Sequence, residues 1–430
     1  MPEYVDRNGA EVRWANWGAR GLRVVLTTVI QAALGALLLL STAQSQPTAA
    51  QQAAARAELQ SLVEQAVANG SPGVSAAVAT REGVIWTGVA GKADLATGAP
   101  VRPDMLFGIG SITKTFVAVV VLQLVEEGRL RLDDTPASIL GDVVKEIANA
   151  DRATVAQLLN HTSGIATWEF DAQWIHEGRG DRLDPARLWG KADTLDYIRG
   201  DAPTAPPGVK HDYSNTNFTL LGLMIEKVTG QDAVLEIHRR ILEPLGIKDI
   251  YLEGFEPLPV QRLAHRYHRA DEEFRRSAGM NRAFPVVRDG LIDASRSNLS
   301  VEWTAGGMVA TAADLARYAV ALRDGRLLRP QSMAFMLDWL PVDEHQSVGH
   351  NLFRTRWADN DLTLVGHTGG VLGYGASMHW VEGADAVVVV LHNLGTMHAG
   401  RATPAAGSKP AGLKQFGAAA LKLSQARSCR

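Results

Sequence analysis

The sequence predicts an α+β fold in which an antiparallel sheet is flanked by helices and carries a helical subdomain. Two β-rich runs at residues 73–79 and 83–91 are separated by a short polar turn, which is typical of a hairpin. Several short runs of β type follow residue 350 and predict further antiparallel strands. Helical segments and polar, proline-rich loops lie between these regions and predict a helical subdomain at approximately residues 151–300.

The helices of the compact part follow from apolar spacing. Residues 48–69 carry Leu59, Leu62 and Val63 at helical spacing and predict an N-terminal helix. A nearly continuous apolar run at residues 116–125 predicts a helix from Ser111 to about residue 127 that is buried all round. Further helices are predicted at residues 218–228, 233–242, 312–323 and 413–426.

Charge and cysteine content limit the class of protein. The formal net charge of −3 shows no basic surface of the kind that binds nucleic acid. Cys429 is the one cysteine among 430 residues, so an intrachain disulfide is excluded and the fold must rely on its core.

The N-terminal 45 residues have the composition of a targeting segment. Arg20 and Arg23 precede an uncharged run at residues 24–40, and small residues follow it. This pattern predicts a signal peptide and an exported protein, either periplasmic or secreted. An uncleaved membrane anchor at residues 24–40 is the competing interpretation, because the run is long for a signal peptide. We expect residues 46–430 to form one domain.

Three short motifs occur in a fixed order: Ser-Ile-Thr-Lys at residues 111–114, Tyr-Ser-Asn at 213–215 and His-Thr-Gly at 367–369. On a helix, residues three apart share one face, so the spacing places Lys114 beside the Ser111 hydroxyl. A lysine next to an apolar helix loses part of its preference for the charged form, which suits proton abstraction from a serine nucleophile. Gly108 and Gly110 permit close backbone approach just before the serine.

Together with these motifs, three further segments give the chain a family resemblance. They are Leu-Leu-Asn-His-Thr-Ser-Gly at residues 158–164, Pro-Gly at 207–208 and Ala-Gly-Gly-Met at 305–308. From about residue 72 to residue 393 the chain resembles the serine β-lactamase-like family, which contains class C β-lactamases, D-alanyl-D-alanine carboxypeptidases, D-aminopeptidases and esterases. The resemblance implies a β-lactamase/transpeptidase-like fold with the active site between the sheet and the helical subdomain.

The resemblance also implies roles for the matching residues. Ser111 would be the acylated nucleophile, while Lys114 and Tyr213 would share the proton transfers. Asn215 would bind the substrate amide and hold Lys114. The backbone N–H groups of Ser111 and Gly370 would form the oxyanion hole.

His367, Thr368 and Gly369 would belong to the substrate-recognition strand implied by the same family. Many β-lactamases carry lysine where this chain has His367, and histidine resembles the carboxypeptidase and aminopeptidase branches. This departure weakens the expectation of an efficient β-lactamase. A charged His367 that supports an anionic substrate group is one hypothesis for this position.

Other candidate sites are weaker. His161 and Ser163 are two residues apart, so we expect a structural turn in preference to a catalytic pair. His265 and His268 form an H-x-x-H pair without a third ligand nearby, so no metal site is predicted. Motifs for a nucleophile elbow, a P-loop or a zinc peptidase are absent, and no cofactor is expected.

The sequence therefore predicts a serine hydrolase that forms an acyl-enzyme with an amide or ester. We expect a D-alanyl-D-alanine carboxypeptidase-like enzyme or a D-amino-acid peptidase, acting on a small peptide. A β-lactamase or small-ester esterase is the alternative, and a non-catalytic penicillin-binding or scaffolding protein is the alternative from another class. Arg354 and Arg356 are candidates for binding a substrate carboxylate, and the sequence leaves the oligomeric state open.

Overall fold

The computed structural model describes residues 49–357, 362–398, 401–402 and 410–426. The predicted signal peptide, the alternative anchor at residues 24–40 and Cys429 lie outside these ranges. None of the helices in the described ranges is both long and apolar enough to cross a membrane.

The centre of the molecule is an eight-stranded sheet in which every neighbouring pair is antiparallel. Its strands run in the spatial order β2-β1-β14-β13-β12-β11-β10-β9. Their bounds are β1 Gly73–Thr80, β2 Gly83–Gly91, β9 Leu340–Pro341, β10 Gln346–Val348, β11 Phe353–Trp357, β12 Leu362–Val371, β13 Tyr374–Val381 and β14 Val387–His392.

Short strands form three smaller sheets, ordered β3-β8-β4, β15-β5-β7-β6 and β16-β17. Two of these sheets join the helical region to later parts of the chain, because β8 and β15 lie outside residues 151–300 and pair with strands inside that range. Their bounds are β3 Phe107–Gly108, β4 Ile250–Leu252, β5 Tyr267–Arg269, β6 Val286–Arg288, β7 Leu291–Asp293, β8 Met308–Ala310, β15 Leu394–Gly395, β16 Met397–His398 and β17 Arg401–Ala402.

Helices cover the sheet and form most of the remaining structure. Their bounds are α1 Ala49–Ala68, α2 Thr113–Glu126, α3 Pro136–Leu140, α4 Val155–Leu159, α5 Ala172–Trp174, α6 Asn215–Thr229, α7 Ala233–Ile237, α8 Glu243–Leu245, α9 Glu272–Ser277, α10 Trp303–Gly306, α11 Ala312–Arg323, α12 Pro330–Met336 and α13 Pro410–Gln425. Short 3₁₀ turns include Gly110–Ile112 and Trp168–Phe170, and π turns form Ile175–Arg179 and His238–Leu242.

The sheet is buried on both faces, and the sequence of β1 shows why. Every residue of this strand is buried, since alternate side chains point to opposite faces of a strand. Val74, Ala76 and Val78 pack with α1 and α13, whereas Ala77 and Ala79 belong to the larger core that contains α2 and α11. The result is a three-layer arrangement of helices, sheet and helices.

The structure confirms the predicted α+β class and the antiparallel sheet flanked by helices. Two local expectations need correction. Ser111 does not open the α-helix, because it lies in the 3₁₀ turn that precedes α2. Residues 151–300 also contain four short strands besides their helices, since isolated three-residue strands carry too little periodicity to be seen in a sequence.

A first test concerns the packing of α13 on α1. Leu423 is fully buried beside Leu59 and Val63, so Leu423→Ala should lower the free energy of unfolding by about 2–5 kcal/mol. Leu188 is 65% exposed, and the matched change Leu188→Ala should cost less than about 0.5 kcal/mol. Urea unfolding monitored by circular dichroism measures both, and equal losses would contradict this packing.

Candidate active site

The site forms where the turn before α2 touches the strand β12. Gly110 has φ +52°, and a Cβ atom placed on it would lie 2.5 Å from the Gly370 nitrogen. A Cβ atom on Gly369 would lie 1.9 Å from the Ile109 carbonyl oxygen and 3.1 Å from the Ser111 nitrogen. Side chains are excluded from both segments, and the backbone N–H groups of Ser111 and Gly370 are thereby brought to one place.

Ser111 and Lys114 form the centre of the site. The Lys114 ammonium donates a hydrogen bond to the Ser111 hydroxyl at 3.0 Å and another to the Ala305 carbonyl at 2.5 Å. Lys114 is fully buried, whereas Ser111 is partly exposed. The carbonyl comes from α10, within the Ala-Gly-Gly-Met segment at residues 305–308, so that segment anchors the lysine beside the serine.

The environment of Lys114 changes its basicity. Burial lowers the pKa of Lys114 to about 7, and the charges of Glu169 and Glu302 oppose this lowering. The amine lies 5.1 Å from the centre of the Tyr213 ring and 5.7 Å from that of Phe218. A large fraction of the lysine is therefore neutral near pH 7 and able to accept a proton.

Tyr213 lies beside this lysine at the start of the segment that leads into α6. Burial raises the pKa of Tyr213 above its ordinary value, although the neighbouring Ser111 hydroxyl lowers it somewhat. The ring of His161 stacks on the tyrosine ring with a centroid distance of 4.1 Å. His161 is in turn fixed through its Nδ1 atom, which accepts a hydrogen bond from the Ser214 N–H. Tyr213 is therefore a neutral phenol near pH 7, held by packing.

Asn215 begins α6 and is directed toward an acidic side chain. Its backbone N–H donates to the Thr167 hydroxyl, and its side-chain amide is a hydrogen-bonding neighbour of the Glu169 carboxyl. In the described part of the chain the Lys114 ammonium donates to Ser111 and Ala305, and Asn215 is not among its partners. The expectation that Asn215 holds Lys114 needs this correction, because the Ala305 carbonyl has that position.

His367 and Thr368 point in opposite directions from β12. Thr368 is exposed, while His367 is buried, with its ring centroid 5.1 Å from that of Phe353. Burial lowers the pKa of His367 to about 3, and the charge of Lys114 adds to this effect. His367 is therefore neutral near pH 7, and the hypothesis that its charge supports an anionic substrate is not favoured by its surroundings.

The structure brings a buried charged cluster to the site that sequence reasoning missed. Arg179 is 3.7 Å from Glu169 and 3.5 Å from Glu302, and all three side chains are at most 6% exposed. The residues are separated by up to 133 positions in the sequence, and nothing in their local patterns distinguishes them from surface charges. We call this set the Glu169–Arg179–Glu302 cluster.

A cavity of about 350 Å³ opens beside Tyr213. Among the residues that the structure describes, the lining is acidic, with Asp171, Asp201 and Asp212, and includes no basic side chain. Asp212 pairs with Lys210 at 3.1 Å, and Asp171 caps α5 through the Trp174 N–H. Such a cavity is better suited to a neutral or cationic group than to a carboxylate.

The weaker candidates lie away from the reacting atoms or have structural contacts. The Ser163 hydroxyl donates to the Asn217 side chain of α6 and accepts a hydrogen bond from the Ile165 N–H within its own turn. His265 pairs with Asp293 at 3.1 Å, and no metal-binding cluster of acidic, histidine or cysteine side chains exists among the residues with described positions. Arg354 forms a double hydrogen bond with Glu382, so this arginine is already engaged.

Comparison with known proteins agrees with the geometry. The Beta-lactamase family model matches residues 59–408, and the chain belongs to this family. A D-amino acid amidase from Ochrobactrum anthropi SV3 has a similar structure, with a TM-score of 0.74 and 27% identity over 85% of this chain and 98% of that chain.

Two curated relatives extend the comparison. Esterase EstB from Burkholderia gladioli is 28% identical over 277 residues, which cover 61% of this chain and 68% of the esterase. Penicillin-binding protein 4 from Amycolatopsis lactamdurans is 35% identical over 152 residues, which cover 35% of this chain and 37% of that protein. The chain is a serine hydrolase of the β-lactamase and penicillin-binding-protein family.

The contact between Gly110 and β12 can be tested with a matched pair. Gly110→Ala should reduce the rate at which a fluorophosphonate labels the protein by about 10²-fold or more, because a Cβ atom would displace the Gly370 N–H. Gly98→Ala is the control, since Gly98 also has a positive φ of +74° but has nothing within 4 Å of its Cβ position. Similar losses in both variants, measured by labelling kinetics, would contradict a specific role for this contact.

Proposed function

We propose that this protein hydrolyses amides of D-amino acids through an acyl-enzyme on Ser111. The observation that carries the proposal is the buried Lys114 amine 3.0 Å from the Ser111 hydroxyl, with a pKa lowered to about 7 by that burial. A neutral amine in hydrogen-bond contact with a partly exposed hydroxyl can activate it for attack on a carbonyl.

In the first step the Ser111 oxygen forms a bond to the substrate carbonyl carbon, and its proton moves to the Lys114 nitrogen. The electron pair of the carbonyl moves to its oxygen, where the backbone N–H groups of Ser111 and Gly370 would stabilise the charge. When the bond to the leaving amine breaks, that amine takes a proton from Lys114 through Tyr213. A protonated phenol suits this donation, because burial keeps Tyr213 neutral.

Water completes the cycle by the same route. Water attacks the ester carbonyl of the acyl-enzyme and gives one proton to Lys114. The bond between the acyl carbon and the Ser111 oxygen then breaks, the acid leaves, and the proton passes from Lys114 to the Ser111 oxygen. In this proposal Asn215 and the strand formed by His367, Thr368, Gly369 and Gly370 bind the substrate backbone.

The electrostatics of the site favour an amide without a free carboxylate. His367 is neutral, Glu169 and Glu302 lie buried nearby, and the adjoining cavity is lined by aspartates. A stem peptide ending in D-alanine or a β-lactam would bring a carboxylate into this field, which is unfavourable. The structural similarity to a D-amino acid amidase, which covers 85% of this chain, supports an amide of a D-amino acid as the substrate.

Ester hydrolysis is the second candidate. The observation that favours it is the similarity to Esterase EstB over 61% of this chain, together with a site that needs no charged substrate group. A non-catalytic penicillin-binding or scaffolding protein fits less well, since Ser111 and Lys114 are already in hydrogen-bond contact.

We also propose, from residues 1–45 alone, that the protein is exported.

A substrate panel tests the proposal. The purified protein is given D-phenylalanine amide, L-phenylalanine amide, a peptide ending in D-Ala-D-Ala, nitrocefin and p-nitrophenyl acetate. We expect the highest kcat/KM among the amides and peptides for D-phenylalanine amide, and no turnover by Ser111→Ala. Preference for the D-Ala-D-Ala peptide or for nitrocefin would refute the proposed substrate class, and activity retained by Ser111→Ala would refute the nucleophile.

The role of Lys114 predicts the pH dependence of labelling. Because the lysine acts as a base only when neutral, the rate of Ser111 phosphonylation should rise with pH through about 7 and then level off. Lys114→Met should lower the rate by about 10²-fold or more and abolish this rise. Lys422→Met, at a surface lysine paired with Glu58, is the control and should leave both rate and profile unchanged. A flat profile in the unmodified protein would show that Lys114 is not the base.

A further inference from the structure

The charge on the Glu169–Arg179–Glu302 cluster is unbalanced without the catalytic lysine. Two buried carboxyl groups pair with one buried guanidinium, and the charges of both carboxyl groups also act on the Lys114 ammonium. Burial raises the pKa of Glu169 and of Glu302 above the ordinary value, and the charges of Arg179 and Lys114 oppose this rise. Such groups gain or lose protons as a set.

The connection to the lysine is also structural. Glu302 immediately precedes α10, and its backbone carbonyl accepts hydrogen bonds from the Ala305 and Gly306 N–H groups. Ala305 supplies the carbonyl that binds the Lys114 ammonium. A Cβ atom on Gly306 would lie 3.2 Å from a Glu302 carboxylate oxygen, so this glycine lets the carboxylate pack against the turn. The cluster and the lysine anchor therefore share one short element.

The other side of the cluster is fixed by aromatic rings. The Arg179 guanidinium lies 4.9 Å from the centre of the Trp174 ring, and Trp174 packs on Trp168 at 4.6 Å. Both tryptophans are fully buried. Three polar atoms of the cluster, Nε and Nη1 of Arg179 and Oε2 of Glu169, have no hydrogen-bond partner among the residues with described positions. Keeping such groups buried is costly, which indicates a role beyond stability.

We propose that Glu169, Arg179 and Glu302 are positioning residues that act through Lys114 and set the pH range in which it is a base. This inference rests on the proposed acyl-enzyme function. The carboxylates stabilise the ammonium that forms when Lys114 takes the Ser111 proton, and Arg179 limits this stabilisation so that the proton can leave again. With fewer carboxylates the lysine would be too weak a base, and without the arginine it would retain its proton.

The remaining groups that face Lys114 do not offer this control. His161 and His367 have pKa values lowered by burial, and burial raises the pKa of Tyr213, so all three are neutral near pH 7. The buried ion pairs of Arg179 with Glu169 and Glu302 are therefore the groups that the inference assigns to this control.

Opposite charge changes give opposite predictions. Glu302→Gln and Glu169→Gln should each move the midpoint of the rising limb in the pH profile of Ser111 phosphonylation to lower pH, by about one unit or more. The plateau rate should also fall, because a weaker base is formed. Arg179→Met should move the midpoint to higher pH, although protonation of a carboxyl group limits the size of this shift. A fluorophosphonate is the probe, and the labelled peptide is identified by mass spectrometry.

Two further variants separate this effect from a loss of structure. Glu236 is a buried carboxylate paired with Arg240 away from the site, and Glu236→Gln should leave the midpoint unchanged. The double variant Arg179→Met/Glu302→Gln removes one charge of each sign, so its midpoint should return to within about half a unit of the unmodified protein. Thermal unfolding followed by circular dichroism shows which variants fold. If the single variants do not fold, the midpoint of the double variant tests the inference.

The result that overturns the inference is a midpoint that does not move in the glutamate variants, or that moves the same way in the glutamate and arginine variants. A double variant displaced as far as either single change would also overturn it. If the unmodified protein is not labelled at Ser111, the proposed function fails and this inference fails with it. Labelling with an unshifted midpoint refutes only the inference.

Discussion

The site depends on the burial of a single amine. Lys114 has no exposed surface, and its ammonium has two hydrogen-bond acceptors, a serine hydroxyl and a backbone carbonyl. Water cannot replace the missing solvation, so the charged form must be supported by protein groups or be given up. The apolar helix α2, which has no polar face, is what places the amine so deep. The helix therefore positions the amine beside Ser111 and also forms part of the core.

Much of the fold could be predicted because its elements are long and strongly patterned. The hairpin of β1 and β2, the buried α2 and the helices α1, α6, α11 and α13 lie close to where apolar spacing placed them. The small sheets could not be predicted, since each of their strands has two or three residues and takes its pairing from distant segments. The 3₁₀ turn at Ser111 could not be predicted either, because it continues directly into α2 and looks in the sequence like the first turn of that helix.

Some features of the site could likewise be predicted from the sequence, and others could not. Ser111, Lys114 and Tyr213 could be predicted as neighbours because short motifs with fixed spacing carry them, and the structure places them together. The Ala305 carbonyl is a backbone group, and the cluster forms only when the neighbouring turns that carry Glu169 and Arg179 meet the distant Glu302. The neutrality of His367 also follows from burial, which a sequence does not report. Chemistry carried by side chains in motifs was predictable, whereas the surroundings that tune it were not.

These surroundings connect mechanism with substrate choice. A base that titrates near pH 7 in a dry site needs negative charge nearby, because without it burial would keep the amine neutral and weakly basic. The same negative charge repels a substrate carboxylate, and a neutral histidine at position 367 offers no compensation. A lysine at that position would supply a cation for the carboxylate but would add positive charge close to Lys114, depressing its basicity further. The proposed preference for uncharged amides and the proposed tuning of Lys114 would then both follow from one charge distribution.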